Sequence, residues 1–256
     1  MGTAAEESHD LGIATKSKKE DICTKVDVEN EELVTNAITK EFPNHKVIGE
    51  ESTGTGQIPP LTDKPTFIVD PIDGTTNFTF GLPMACVSIG FCVGKKPVMG
   101  VVYAPMTDEL YLAVKGYGAY RNGVRLSKRK HVDLTDAVIE FEFGYPRSSE
   151  AVSKMIAVVQ RFMEKGCMAT RQLGSGVLDL VYVATGRFSA VYSGVAGEGW
   201  KPWDYAAGMV IAREAGCVIE TFDQRPGQDF DMYGDSIICA VSQKLLEDCR
   251  KVIMDN

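Results

Sequence analysis

Short apolar runs crowd into the first half of the chain: KVIG (46–49), TFIVD (66–70), ACVSIGFCV (85–93), VMGVVYA (98–104) and ELYLAV (109–114). Each is too short for a buried helix, and most are rich in Val and Ile, so they read as consecutive strands. RNGV (121–124) adds a hairpin signal, because Asn-Gly supplies the positive φ of a tight turn. Another strand is expected over AVIEFEF (137–143). Beyond it the period changes: residues 149–165 and 175–185 read as helices, with a short strand near 189–192. A helix from Asp204 runs to a cap at Gly216, strands follow at CVIET (217–221) and SIICAV (236–241), and Ser242 caps a last helix to about Met254. Ahead of the strands, DVENEELVTNAITKEF places Leu33, Val34, Ala37 and Ile38 at helical spacing, with Asp27 as the expected N-cap and Pro43 as terminator. Strands in succession, then helices alternating with strands, predict layered α and β in a single compact unit. Residues 1–20 are polar, end in KSKKE, and are expected to form a flexible N-terminal segment, with 21–256 as the folded domain.

Charge and cysteine usage narrow the partners. At pH 7 the net charge is −8, which argues against a nucleic-acid backbone or an anionic membrane as the main partner. An anionic ligand would have to be attracted by something other than overall charge, and metal ions are the obvious candidate. The seven cysteines are odd in number, scattered and never in a C-x-x-C spacing, which fits thiols in a reducing compartment. No run of 18 apolar residues is present, MGTAAEESHD lacks the apolar core of a signal peptide, and Glu6 breaks the myristoylation pattern. A cytoplasmic location is the expectation.

VDPIDGTTNF (69–78) runs an apolar strand into two aspartates. Pro71 fixes φ and lacks an N–H, so a turn there lets Asp70 and Asp73 face a common point; an unbroken strand would set them on opposite faces. Gly74 lets the backbone approach a ligand, and Thr75 and Thr76 offer hydroxyls and N–H groups. Taken alone, Asp-Gly is a turn and Thr75 a cap. Two further acidic elements change the weighting: GEES (49–52) directly after a strand, and PWD (202–204), which puts Asp204 at a helix start. An EF-hand fails, because its positions 3, 5 and 12 counted from Asp70 are Ile72, Gly74 and Gly81. A D-x-D-G-T aspartyl-phosphate motif has its aspartates two apart, not three.

GEES, DPIDGTTNF and WDYAAG, in that order, resemble the inositol monophosphatase family of magnesium-dependent, lithium-sensitive phosphatases, from about Asp21 to the C-terminus. The resemblance implies an αβαβα sandwich of the sugar-phosphatase type, usually a homodimer, that hydrolyses small phosphate monoesters such as myo-inositol 1-phosphate. It also implies two to three Mg²⁺ per site: Glu50, Asp70 and the Ile72 carbonyl as ligands of the first, Asp70, Asp73 and Asp204 of the second, and Glu50 supporting a third. Asp27 stands where the family has the acidic partner of Thr75, and Thr75, Asp27 and Glu50 take the catalytic positions. The backbone N–H groups of Gly74 and Thr75 would hold the phosphate, Asp73 and Asp204 are further substrate-binding positions, and Gly174, Ser175 and Gly176 match the loop that contacts the sugar alcohol. Glu198 is the acid available for inositol hydroxyls, in a stretch, SGVAGEGWKPWD, longer and more Gly-rich than the family's.

The physics supports this set. Carboxylates about 4 Å apart repel by roughly 1 kcal/mol in water and about 4 kcal/mol at an effective dielectric of 20. Divalent cations reverse that sign, and oxygen ligands without His or Cys suit Mg²⁺ rather than zinc. His9, His45 and His131 lie in no motif. Two rival readings stay open: a related phosphatase acting on 3′(2′),5′-bisphosphate nucleotides or fructose 1,6-bisphosphate, and a non-catalytic metal-binding scaffold.

Overall fold

The computed structural model describes residues 11–16, 22–197, 199–223 and 228–255. A short pair, β1 (Ala14–Thr15) and β2 (Ile22–Cys23), precedes helix α1 (Lys25–Glu41). The first sheet then forms from β3 (Lys46–Gly49), β4 (Thr66–Asp73), β5 (Cys86–Val93), β6 (Lys96–Ala104), β7 (Glu109–Val114), β8 (Gly118–Arg121) and β9 (Val124–Arg125), in that spatial order. Two short helices interrupt it, α2 (Glu50–Thr53) after β3 and α3 (Thr75–Thr79) after β4. At the β8–β9 turn Asn122 and Gly123 both have positive φ, 48° and 78°, as the RNGV signal requires.

The second sheet is built from β10 (Val138–Glu142), β11 (Ala169–Arg171), β12 (Ala190–Ser193), β13 (Val218–Glu220) and β14 (Ile237–Ala240), in the order β11-β10-β12-β14-β13. Its helices are α4 (Ser149–Glu164), α5 (Gly176–Thr185), α6 (Pro202–Glu214) and α7 (Gln243–Met254). Helices α5 and α6 pack on each other, α6 against β5–β7 and α5 against β12 and β14. Helix α1 covers β4 on the outside of the first sheet, and α4 and α7 lie against β11, β12 and β14. This is the expected αβαβα stack. It explains why β4, β12 and β14 are buried along their whole length while β5 and β7 alternate: strands covered on both faces have no solvent side to leave polar. No helix among the described residues is long and apolar enough to cross a membrane.

Two glycines set the distance between the first sheet and α6. Gly90 and Gly100 are paired across β5 and β6. A methyl group on Gly90 would lie 2.4 Å from the Ala206 Cβ, and one on Gly100 2.3 Å from the Ala207 carbonyl oxygen. Only bare backbone at both positions, facing alanines on the helix, allows α6 to lie this close.

The structure departs from the sequence reading in two places beside the site. Helix α1 begins at Lys25 with Thr24 as N-cap, and Asp27 is its third residue, accepting the Thr24 N–H at 2.8 Å. Strand β4 does not stop at Asp70: it runs to Asp73, and a bulge absorbs one residue, with Asp70 opposite Ser88 and Asp73 opposite Cys86. That extra residue, rather than a turn at Pro71, brings the aspartates to one side. Of residues 1–20, positions 11–16 are described and pack onto the site; 1–10 and 17–20 lie outside the described residues.

Candidate active site

Several helices begin at the end of β4, and each delivers one group. Asp27 is the third residue of α1, Glu50 the first of α2, Thr75 the first of α3, and Asp204 the third of α6. Carboxylates and anions are favoured at such positive helix ends. Oxygens of Asp70, Asp73 and Asp204 all lie within 4.8 Å of one another. They form the floor of a cavity of about 870 Å³ that Glu50, Ile72, Gly74 and Thr75 also line.

Each acid is held differently. Asp73 accepts the Val177 N–H at 2.9 Å, the Ser175 hydroxyl and, at 3.7 Å, the Cys86 thiol. Asp204 accepts the Lys201 N–H at 2.6 Å. Asp70 is 1% exposed, and its Oδ1 has no partner at all. Glu50 faces the Lys16 ammonium at 2.7 Å, which also reaches Glu51 at 2.7 Å. Glu31, buried in α1, accepts the Glu51 and Ser52 N–H groups at 2.7 Å each and so pins the start of α2.

Burial, then the Glu50, Asp73 and Asp204 charges, push Asp70 well above the usual carboxylate range. Asp204 is raised in the same way. Glu50 is pushed up to about 7 by burial, with Lys16 pulling the other way. Burial likewise raises Cys86, so it is present as a thiol donor to Asp73 rather than a thiolate ligand. An all-oxygen cluster with an orphaned oxygen and mutual repulsion fits a hard divalent cation.

Beside the cluster, the Thr75 hydroxyl lies 3.1 Å from Asp27 Oδ1 and 3.0 Å from the Ile72 carbonyl. Asp27 Oδ2 is occupied by the N–H and hydroxyl of Thr24, so Oδ1 is the oxygen left for Thr75. Thr75 is not a helix cap: Gly74 holds that position, at φ 83°, and a methyl there would meet the Met84 carbonyl at 2.6 Å.

The GSG segment divides. Gly174 and Gly176 line the cavity, whereas the Ser175 side chain is 1% exposed, caps α5 and donates to Asp73. Gly176 is bare because the Trp200 indole lies over it, 2.9 Å from where a Cβ would be. Asn77 ties the loop to α3, donating to the Leu173 carbonyl at 2.7 Å and that of Met84 at 2.8 Å. Glu198 lies outside the described residues.

Sequence reasoning missed Lys16, Glu31 and Asn77. Lys16 stands in TKSKK, where nothing separates it from neighbouring lysines. Glu31 falls among the acids of VENEE, and only its burial distinguishes it.

The raised acids predict a pH-dependent response to metal. A carboxyl whose folded pKa exceeds its unfolded value binds more protons when folded. Its contribution to stability is therefore present at low pH and lost as pH rises through the folded value. Mg²⁺ competes with those protons. The gain in Tm from Mg²⁺ over EDTA is expected to grow from about pH 5 to about pH 7.5, spanning the Glu50 value. Differential scanning fluorimetry across that range checks it; a gain that is flat or shrinks with pH would refute the assignment.

A layered αβαβα unit whose buried oxygen-only cluster floors an open cavity defines a metal-dependent phosphatase of the sugar-phosphatase type. The model of the inositol monophosphatase family matches residues 3–254, and the chain belongs to that family of phosphoric monoester hydrolases. It is 40% identical over 228 residues to an inositol monophosphatase of Mesembryanthemum crystallinum, covering 89% of this chain and 81% of that protein. Among solved structures it is similar to an IMPase/NADP phosphatase complexed with Mg²⁺ and phosphate, with TM-score 0.82 and 25% identity over 96% of this chain and 87% of that one. It is also similar to a dual specific IMPase/NADP phosphatase bound with D-inositol-1-phosphate, with TM-score 0.78 and 26% identity over 96% and 88% of the two chains.

Proposed function

We propose that this chain hydrolyses the phosphate monoester of a polyol, myo-inositol 1-phosphate to myo-inositol and phosphate, by in-line attack of water. The observation that carries this is the Thr75–Asp27 pair beside the Asp70–Asp73–Asp204 floor. Glu50, Asp70 and the Ile72 carbonyl would hold one Mg²⁺, Asp70, Asp73 and Asp204 a second, and Glu50 would support a third. Bound there, Mg²⁺ supplies Lewis-acid stabilisation and lowers the pKa of water. The chain's own residues do the positioning. Donation from Thr75 to the Asp27 carboxylate is charge-assisted, and it fixes the hydroxyl rotor so that the remaining lone pairs face the cavity and accept from the attacking water. Backbone N–H groups of Gly74 and Thr75, at the start of α3, are the expected phosphate cradle.

Gln172, Glu142, Gly174 and Gly176 line the alcohol side and suit hydroxyl groups; Glu198 is the acid proposed to meet the inositol hydroxyls. Arg147, Lys201 and Trp200, which also line the cavity, favour a second reading, a bisphosphorylated nucleotide whose second phosphate meets the cations and whose base meets the indole. A panel of phosphate esters with Mg²⁺ separates them. Inositol monophosphates are expected to lead in kcat/KM; a bisphosphate nucleotide winning by about tenfold or more, some 1.4 kcal/mol of transition-state binding, would establish the second reading.

A homodimer is the expected assembly. Leu110, Leu112 and Val114 on β7 and Tyr103 on β6 are between 36% and 45% exposed, on the sheet face turned away from α6. An apolar stripe of this kind is the sort of patch that monomers rarely leave open. Sedimentation equilibrium should read twice the chain mass; a single-chain mass at micromolar concentration would reject the dimer.

A further inference from the structure

Behind the loop 172–176 lies a second set of acids, of which Glu142 alone reaches the active-site cavity. Glu140 and Glu142 are two apart on β10 and therefore share a face. Asp179, near the start of α5, points at them, and oxygens of all three lie within 4.8 Å of one another. Glu140 Oε1 accepts the Leu173 N–H at 3.4 Å, and Glu142 Oε1 accepts the Gly174 N–H. The inward oxygens are different: Glu140 Oε2 and both oxygens of Asp179 are buried without any donor. Glu140 and Asp179 are each 0% exposed. The neighbouring charges that act on Asp179 are Glu140, Glu142 and Asp73, all carboxylates. Buried acids of like charge are not left bare: they take up protons or a cation.

We propose that Glu140, Glu142 and Asp179 form a cation site, separate from the Asp70–Asp73–Asp204 cluster, that takes a hard divalent ion such as Mg²⁺ or Ca²⁺. The donors are all oxygens, and their mutual spacing is within the reach of a single ion. Glu142 supplies the way in, because it is half-buried and lines the active-site cavity while the other two are closed off. An ion here braces β10 against the start of α5, with the loop 172–176 between them. Since Gly174 and Gly176 of that loop wall the cavity, the site links the order of the alcohol-binding wall to divalent ion concentration. The competing arrangement is a proton shared between Glu140 and Asp179.

Binding of Mn²⁺ to the full chain, followed by electron paramagnetic resonance during equilibrium dialysis, tests this without reference to turnover. Asp179→Asn is expected to bind one ion fewer per chain at saturation than wild type. Its loss should add to that of Asp70→Asn, because the two clusters are distinct. If Asp179→Asn fails to fold, Glu142→Gln at the cavity edge should show the same missing ion. An unchanged count in a folded Asp179→Asn or Glu142→Gln, with the same Mn²⁺-induced rise in Tm as wild type, would overturn the proposal in favour of the shared proton. The count is independent of the reaction assigned to the catalytic cluster, so either reading can fail while the other stands.

Discussion

Asp70→Asn is expected to lower turnover by about 10³-fold or more while making the metal-free protein harder to melt. Asp70 is the acid on which the charges of Glu50, Asp73 and Asp204 all act, and its Oδ1 has no hydrogen-bond partner within the protein. Under the proposed function it is the acid that would serve both cations. Charge stabilisation at such a site amounts to several kcal/mol, and each 1.36 kcal/mol is tenfold in rate, which sets the scale of the loss. EDTA should do the same to wild type, with Mg²⁺ restoring the rate and the larger, less rigidly coordinated Ca²⁺ restoring little. Stability should move the opposite way, because an amide relieves repulsion among buried carboxylates. Activity assays and melting curves, both in defined Mg²⁺ and EDTA, read the two effects on one sample. Glu51→Gln is the control: Glu51 points at Lys16, and a loss equal to that of Asp70→Asn would mean that the GEES register is misassigned.

Thr75→Ala should lower kcat by about 10²-fold or more, the scale of a positioned proton-transfer group, with little change in Mg²⁺ affinity. The substitution keeps the Thr75 N–H and every carboxylate. It removes the one hydroxyl that Asp27 Oδ1 orients. Thr75→Ser should retain much of the rate, and Asp27→Asn should behave like the alanine variant unless the loss of its bonds to Thr24 disturbs the start of α1. Were the Thr75 hydroxyl only a structural link to the Ile72 carbonyl, its removal would cost about 1 kcal/mol of stability and leave turnover nearly intact. A normal kcat with a lowered Tm would therefore reduce Thr75 to a structural part.

Much of this site was legible because its acids sit at junctions the sequence marks locally. VDPIDG and PWD announce a strand end and a helix start, and the order of the motifs carries the family. What local pattern does not carry is which way a residue faces once layers form. The bulge in β4 is invisible in DPID, since proline and aspartate write a turn equally well; only the register against β5 distinguishes them. Asp27 reads as a cap, yet Thr24 caps and Asp27, the third helical residue, bonds Thr24 through Oδ2 and keeps Oδ1 for Thr75. In AVIEFEF the alternation of Glu with apolar residues describes a half-exposed strand. Burial of Glu140 arises instead from α5, which the chain adds some forty residues later. Lys16 and Glu31 depend wholly on tertiary approach.

The close seating of α6 on Gly90 and Gly100 has a consequence for the order of assembly. During synthesis the whole first sheet leaves the ribosome before the residues of α6 exist. Until then the glycine stripe and the inner faces of β5 and β7 have nothing to cover them, and Asp70 and Asp73 stand without Asp204 or the α5 donors. The first half of the chain is thus obliged to wait, partly paired and exposed, for the second. The residues of α6 that cover the glycine stripe also bring Asp204 to the acidic floor, so a nascent chain is expected to complete both together.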